Sequence, residues 1–407
     1  VKPGPIPLEV AQARLLALAE PLAVEHVDVD GAIGRYLSAP LRARRTQPSA
    51  DLSAMDGYAV SASDLDGPWQ VVGESAAGHP FTGTFGEGEA VRISTGAILP
   101  TDAGAVILQE DLVLRDGHLT LTGEAPEPAH KHIRRRGMDF AEGGEVMPAG
   151  KAVGPAQAAL ALASGHRYLP VHRMPRVVVI DSGDELVADP ECCEPHQIPA
   201  SNGAMLTALA RPFTAETVRI GPVADTMEAL AAAFATAADA DVIVTSGGAS
   251  VGDHDLIRPA LEKWGANMDF WRVAIKPGKP ILVATRNRPG SDRPQIIIGL
   301  PGNPVSSYVT AYHFLLPLLR KMHGAGKVLP TQITTRLAQP VRANGPRREF
   351  LRGLWDGESV VPHPLQDSGA LASLAASNVL IDRPGFSPAA GIGDKVRIFL
   401  LQNGGIA

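Results

Sequence analysis

The chain has 407 residues, 45% of them hydrophobic and 20% charged, with 42 glycines and 35 prolines. That length exceeds what one core usually serves, so about two to four domains are expected, and the glycine and proline excess argues against a helical bundle. A formal charge of −6 excludes a global electrostatic pull toward nucleic acid or acidic membranes, and no apolar stretch reaches the length of a membrane span. The segment Val1–Val10, with one lysine and three prolines, does not read as a signal peptide. Further on, Leu8, Ala11, Leu15 and Leu18 fall at helical spacing, and a second weak helix is expected from Pro21 to about Tyr36.

From Arg45 to about Met147 the texture changes. Short runs such as Gln70–Gly73, Ala90–Ser94 and Ala105–Leu114 alternate with glycine and proline punctuation, which predicts a β-rich module. Gly154–Gly165 returns to a helix that opens at Pro155 and stops at Gly165, and it is expected to pack with the N-terminal helix. From Arg176 to Met322 strands and helices alternate. Val177–Ile180, Val242–Thr245 and Ile296–Ile298 are apolar runs ending in glycine-rich turns, as buried parallel strands do, with helices near Ala204–Ala210, Thr226–Ala237 and Leu256–Trp264. A last helix opens at Asn303-Pro304. Beyond Val328 strands return, Arg348–Trp355 and Lys395–Leu401 being the clearest. The expected fold is a multidomain α/β plus β chain. It comprises a helical linker element from 1–45 with 148–171, an inserted β-rich module at 46–147, a central α/β domain with a parallel-type sheet at 172–326, and a separate C-terminal β-barrel-like domain at 327–407.

Ligands on such sheets bind outside the carboxyl ends of the strands, so the loops there are the place to look. The turn Ser246-Gly247-Gly248 can bring bare N–H groups close to an anion, and Asp253 and Asp255 follow it. A tight turn that starts a helix, with Asp253 as its cap, explains most such glycine pairs equally well. Lys276-Pro277-Gly278-Lys279-Pro280 sets two lysines in a stiff backbone between apolar runs, which suits a phosphate or oxyanion. In Val179-Ile180-Asp181-Ser182-Gly183-Asp184-Glu185-Leu186 the carboxylates could hold magnesium or steer a water, or simply form a solvated turn. In Gly299-Leu300-Pro301-Gly302-Asn303-Pro304, strand–turn–helix geometry accounts for Asn303 and Pro304. Asp225 with Glu228 matches a capping box, Arg134, Arg135 and Arg136 read as a solvated face, and His254 as an exposed loop residue. Adjacent Cys192 and Cys193 can form neither an ordinary disulfide nor a full zinc site, so a reducing cytoplasm is the default expectation.

In combination these segments resemble the molybdopterin molybdenumtransferase family, of the MoeA and gephyrin E-domain type. The motifs that carry the resemblance are Ser53-Ala-Met-Asp-Gly-Tyr-Ala-Val60, Arg92-Ile-Ser-Thr-Gly-Ala97, Ile133-Arg-Arg-Arg-Gly-Met-Asp139, Ser182-Gly-Asp-Glu-Leu186, Thr245-Ser-Gly-Gly-Ala-Ser-Val-Gly252, Lys276-Pro-Gly-Lys-Pro280 and Gly299-Leu-Pro-Gly-Asn-Pro304. They fall in family order over nearly the whole chain and weaken over about the last eighty residues. Leu52 stands where many relatives carry asparagine and Ser182 where threonine is common, departures that remove no ionisable group.

The resemblance implies an elongated homodimer of four-domain chains. Such an enzyme hydrolyses adenylylated molybdopterin with a divalent cation such as magnesium, and inserts molybdate-derived molybdenum into the dithiolene. It implies functional roles for Asp56, Thr95, Asp139, Glu185, Asp225, Asp255, Lys276 and Lys279. Lys276 and Lys279 would contact the oxyanion, and Glu185 and Asp255 the cation or attacking water, while Asp56, Thr95 and Asp139 would approach from the β module. Ser246, Gly247, Gly248, Ser250, Pro301 and Gly302 are expected to line the substrate. Further partners would be the upstream adenylyltransferase and recipient molybdoenzymes, with neither nucleic acid nor membrane. The rival readings are the sister adenylyltransferase activity, a gephyrin-like scaffold, and a degenerate nucleotide-binding protein. The β module with Asp56, the C-terminal domain and the intact lysines and carboxylates speak for the transferase.

Overall fold

The computed structural model of the protein describes residues 4–247, 256–288 and 290–401. Its largest sheet has the order Glu216–Val223, Arg176–Ser182, Val242–Ser246, Gln295–Leu300, Pro280–Arg286, Asn267–Arg272. The first four strands are parallel, in the register Val177↔Val242 and Val242↔Ile296. The other two are joined by antiparallel pairings, Pro280–Arg286 to Gln295–Leu300 and Asn267–Arg272 to Pro280–Arg286, so the sheet is mixed where a parallel one was expected. The connections explain this: residues 273–279 and 287–294 are too short to cross over the sheet, and a short connection can only join antiparallel neighbours.

Alternate residues of the parallel strands go to opposite cores. Val177, Val179, Val242, Val244, Ile296 and Ile298 face one way, and Val178, Ile180, Ile243 and Ile297 the other, against Leu230, Phe234, Ile257 and Leu261. Both faces are covered by helices, which is why these strands read as continuous apolar runs.

The N-terminal helix, Leu8–Ala17, buries Leu8, Ala11, Gln12 and Leu15, a stripe at helical spacing. It was expected to pack with Pro155–Ala163, but it packs into the α/β core beside Leu315, Leu318 and Leu319. Backbone chemistry helps to hold it there. Pro317 has no N–H to give the carbonyl of His313, four residues earlier, in a stretch where Ala311–Leu315 forms a π turn. Gln12 Nε2 donates to that carbonyl instead, at 2.8 Å.

The weak helix expected after Pro21 is a strand, Val24–Asp28, paired antiparallel with Tyr168–His172, a partner far along the chain that local periodicity cannot reveal. Around it Val29, Ala32, Leu37, Leu41, Met147, Ala161 and Leu169 form a small core that includes the helix Pro155–Ala163. Between these segments lies the β module, with the strand order Ala105–Leu108, Gly57–Val60, Glu89–Ile93, Trp69–Ser75, His118–Leu121, Leu112–Arg115. Its period of two is explicit: Ala59, Val91 and Val106 enter one cluster, and Val60, Ala90, Ala105 and Ile107 the other. The run Ala105–Leu114 is two strands separated by a turn at Gln109–Asp111.

At the C-terminal end Gln332–Leu337, Arg348–Trp355, Ser359–Pro362, Val379–Arg383 and Lys395–Leu400 close into a five-stranded barrel, because Arg348–Trp355 pairs with both Ser359–Pro362 and Val379–Arg383. It is not separate from the α/β unit. Ile275–Lys276 pairs in parallel with Arg348 and Glu349, and Phe350, Leu380 and Phe399 enter the larger core. The buried His313 ring lies 4.3 Å from that of Phe350, and burial pushes its pKa down to about 3.

At the amino end of the central strands Asp241, 2% exposed, accepts hydrogen bonds from Arg173 Nη1 and Nη2 at 2.9 and 3.1 Å and from the Arg176 N–H at 2.9 Å. Arg288 Nη2 adds a bond at 3.2 Å. Burial opposes its ionisation, but these bonds and charges outweigh it and hold the carboxyl below the ordinary value. A depressed carboxyl stabilises the fold above its unfolded-state pKa, and that contribution is lost as the pH falls through the folded one. Asp241→Ala should therefore cost about 1–3 kcal/mol, because the Arg176 N–H loses its acceptor while the partly exposed guanidinium groups of Arg173 and Arg288 can still reach water. Denaturant unfolding at neutral pH checks this, and the gap between variant and wild type should narrow below pH 4 or so.

Candidate active site

Three strand ends meet on the carboxyl side of the sheet. After Val242–Ser246 the chain turns at Gly247, whose φ of +99° and closeness to the Ser182 carbonyl, 3.1 Å from where a Cβ would lie, both demand glycine. The Gly247 N–H donates to the Leu300 carbonyl at 3.1 Å, so it is committed to the turn and not left bare for an anion, as the glycine pair had suggested. Gly302 comes close enough that its Cβ would sit 3.9 Å from Gly247 Cα, and its carbonyl accepts from Asn202 Nδ2 at 2.6 Å. Gly248, Ser250, Asp253, His254 and Asp255 lie outside the described residues.

Two cavities flank this junction and share Gly247, Gly302 and Asn303. The first, about 720 Å³, is walled by Lys276, Lys279, Pro301, Ser306, Arg347 and Ser368, among others. The second, about 630 Å³, is walled by Asp181, Ser182, Glu185, Ser201, Asn202 and Ser246, among others. Adjoining across these shared residues, they make a groove whose first end carries Lys276, Lys279 and Arg347 against Glu349 and Asp367, and whose second carries Asp181 and Glu185 with no lysine or arginine.

At the basic end Lys276 Nζ lies 2.7 Å from Glu349 Oε1 on the barrel, so one lysine is anchored. Lys279 is exposed and has no carboxylate partner among the described residues. Between them Gly278, at φ +98°, is buried, and a Cβ there would meet Thr310 Cγ2 at 2.6 Å. The facing wall comes from the barrel. Arg352, fully buried, donates from Nη2 to the carbonyls of Leu365 and Asp367 at 2.9 and 3.0 Å, and Gln366 Nε2 bonds back to the Arg352 carbonyl at 2.9 Å. Asn303 occupies the first position before the helix Pro304–Thr310, but its side chain makes no capping bond and it lines both cavities, so helix geometry does not account for it fully.

At the acidic end Glu185 is exposed on the cavity wall. Asp184 Oδ1 accepts from the Asp225 N–H at 3.0 Å. Burial first, then the charges of Asp184 and Glu185, push the Asp225 carboxyl above its ordinary value. Asp225 is not the helix cap: Thr226 is, accepting from the Ala229 N–H at 3.2 Å. Asp181, expected in a turn, is still within the strand and fully buried, with Arg219 Nε donating to its Oδ2 at 3.1 Å. Arg219, Arg347, Asn202 and Ser368 escaped the sequence reading because no short motif marks them.

Asp56, Thr95 and Asp139 line neither cavity. All three are exposed on the β module. Asp56 Oδ1 accepts from the Thr95 N–H at 2.5 Å and from its hydroxyl at 2.9 Å, and the N–H bond holds the carboxyl below the usual range. The run Arg134–Arg136 is exposed as expected, and Arg135 pairs with Asp51 at 2.6 Å. Cys192 and Cys193 are free thiols. No helix among the described residues is long and apolar enough to cross a membrane.

A multidomain α/β protein with an anion-suited groove at its strand ends is the class this geometry defines. Three family models match in series: the MoeA N-terminal region (domain I and II) over residues 6–165, a probable molybdopterin binding domain over 178–321, and the MoeA C-terminal region (domain IV) over 334–401. A molybdopterin molybdenumtransferase of Nostoc sp. is 34% identical over 374 residues, covering 88% of this chain and 85% of that one. The Haemophilus influenzae protein of the same name is 36% identical over 322 residues, 78% of each chain. A crystal structure of a molybdopterin biosynthesis MoeA protein from Pyrococcus horikoshii, 29% identical, superposes with a TM-score of 0.78 over 99% of this chain and all of the other. The chain belongs to the molybdopterin molybdenumtransferase family.

The lysines differ in what holds them, and their variants should differ accordingly. Lys279→Ala should leave the melting profile unchanged while most molybdate-dependent turnover is lost, because no carboxylate is stranded. Lys276→Ala should also lose turnover and soften the melt slightly, since Glu349 loses its partner. Normal turnover in both variants would remove the oxyanion role from this loop.

Proposed function

We propose that the chain hydrolyses the pyrophosphate link of adenylylated molybdopterin, releasing AMP, and transfers molybdate-derived molybdenum to the dithiolene. The observation that carries this reading is the two-ended groove, in a chain whose relatives are named for that transfer. Lys276, Lys279 and Arg347 suit the pyrophosphate and molybdate oxyanions. In the hydrolysis the water oxygen bonds to one phosphorus and the bridging oxygen leaves on the other.

Magnesium or a similar divalent cation is part of the proposal. Among the described residues no three carboxylates converge as a ready metal site. Burial first, and then the charges of Asp184 and Glu185, raise the Asp225 carboxyl, and a cation bound beside these groups would favour its ionised form. Glu185, with Asp255, would hold it, and bound there it would polarise the phosphoryl group or the attacking water. The proposed units are the linker element at 1–45 with 148–171, the β module at 46–147, the α/β unit at 172–326 and the barrel from 327, with the helix Leu8–Ala17 moved from the linker element to the α/β unit because its apolar stripe enters that core.

The chain is further proposed to act as a homodimer in which one protomer's β module caps the groove of its partner. Exposed Asp56, Thr95 and Asp139 support this, as do Met55, Ile98 and Met138, apolar neighbours in sequence that are 41%, 40% and 66% exposed. The remaining partners would be the upstream adenylyltransferase and recipient molybdoenzymes, in a cytoplasmic setting.

Incubation of the wild-type chain with adenylylated molybdopterin, magnesium and molybdate should release AMP, and its absence would overturn the transferase reading. A chelator should stop the release and added magnesium restore it, while Glu185→Gln should slow it with pterin binding retained; undiminished release in chelator removes the cation. For the shared site, Asp56→Ala and Glu185→Ala chains are mixed under subunit exchange. Random pairing makes about half the dimers mixed, each with one intact site, so roughly a quarter of all sites should recover. No recovery despite proven exchange places each site within one chain.

A further inference from the structure

Arg352, on the barrel strand Arg348–Trp355, is fully buried, and no carboxylate bonds it among the described residues. Only Nη2 has partners, the carbonyls of Leu365 and Asp367, while Nε and Nη1 bond to nothing among the described residues. A buried cation in this state costs stability, and an apolar side chain of similar volume would fill the space without that cost. Packing alone therefore does not account for a guanidinium here. What it holds is the segment that supplies Gln366, Asp367 and Ser368 to the basic cavity.

The direction of those two bonds decides what the wall presents. In a trans peptide unit the carbonyl of one residue and the N–H of the next point opposite ways. Leu365–Gln366 and Asp367–Ser368 are both trans. Their carbonyls turn inward to Nη2, so the N–H groups of Gln366 and Ser368 turn outward, away from the buried guanidinium. Both residues line the cavity, and neither N–H has an acceptor among the described residues. The segment is laced down elsewhere as well. Gln366 sends its side chain back to the barrel, accepting from the Arg352 N–H at 3.0 Å and donating to the carbonyls of Arg352 and His363 at 2.9 and 2.7 Å. The Ser368 carbonyl accepts from the Val305 N–H at 3.0 Å, and Asp367 Oδ1 from the Gly369 N–H at 2.8 Å. Two unclaimed amides are thus held in the cavity that Lys276 and Lys279 also line.

We propose that Arg352 is a positioning residue for this cavity: by holding the Leu365 and Asp367 carbonyls inward, it keeps the Gln366 and Ser368 N–H groups directed at a bound molybdate. Molybdate as the anion rests on the substrate reading above. A tetrahedral oxyanion takes hydrogen bonds from several sides, and backbone donors fixed beforehand complement lysines on flexible stems. The buried charge also adds to the positive potential that offsets Glu349 and Asp367 in the same walls.

The first measurement uses the full-length wild-type chain. Amide exchange of the segment 363–369 is followed by mass spectrometry with and without molybdate. Unbonded amides there should exchange fast in the free protein and slow when molybdate is added; unchanged exchange overturns the proposal. Molybdate is then titrated into wild type, Arg352→Met and Arg352→Lys. Arg352→Met should weaken binding about tenfold, the scale of a hydrogen bond to a charged group. The molybdate concentration for half-maximal cofactor formation should rise by a similar factor, with kcat little changed. Arg352→Lys, which keeps a charge and donors, should recover most of the affinity. A merely structural Arg352 would lower the melting temperature while molybdate affinity stayed as in wild type, and that result also overturns the proposal. Should Arg352→Met fail to fold, the wild-type exchange decides by itself. If wild type releases AMP from the adenylylated pterin yet molybdate protects nothing in this segment, this inference fails and the function stands. If molybdate protects the segment but no AMP is released, it is the functional reading that fails.

Discussion

Because the parallel strands of the central sheet are covered on both faces, their side chains are apolar along nearly their whole length. Chemistry can only sit where the strands stop. At their amino end the one buried carboxylate, Asp241, is fully committed to Arg173, Arg176 and Arg288, so that end is tied off by ion pairs. At the carboxyl end Gly247, at φ +99° and close against the Ser182 carbonyl, admits little besides glycine, and with Gly302 beside it the backbone itself becomes the floor between two cavities. The division of the molecule into a structural end and a working end follows from that double burial.

The walls of the groove then depend on what is docked to the sheet. The lysine loop is not free, since its first residue is a short strand of the barrel and pairs with Glu349. The opposing segment at 365–368 is held from below by Arg352, a buried guanidinium whose bonds go to carbonyls. The barrel is in turn seated on the core through Phe350 and Phe399 around His313, whose carbonyl anchors the N-terminal helix. A missing proline N–H, a glutamine and an aromatic cluster thus join three parts of the chain behind the basic cavity. Rigid support of this kind is what an oxyanion site requires, since the stabilisation it supplies depends on donors that do not reorganise.

Charge is separated along the groove without any excess in the protein as a whole, whose formal charge is −6. Lys279 is left without a carboxylate partner among the described residues, while the Asp225 carboxyl is raised by burial and then by its acidic neighbours. Groups in such states are where a ligand of opposite charge has most to gain, which is why they mark the groove as the place to test.

The amino-acid sequence by itself determined the parts that depend on local order. The apolar runs at Val177–Ile180, Val242–Thr245 and Ile296–Ile298, the helix stops, and the family motifs carrying Glu185, Lys276 and Lys279 were all legible, because burial of a strand and the sterics of a turn act over a few residues. Tertiary structure alone decided three things. It made Val24–Asp28 a strand by pairing it with Tyr168–His172, and it turned the sheet mixed through two short connections. It also placed Asp181, Asn303 and Arg347 on the groove, and left Asp56, Thr95 and Asp139 off it. Each of these is settled by contacts between residues far apart in the chain, and periodicity read along one segment carries no information about the partner that a distant segment supplies.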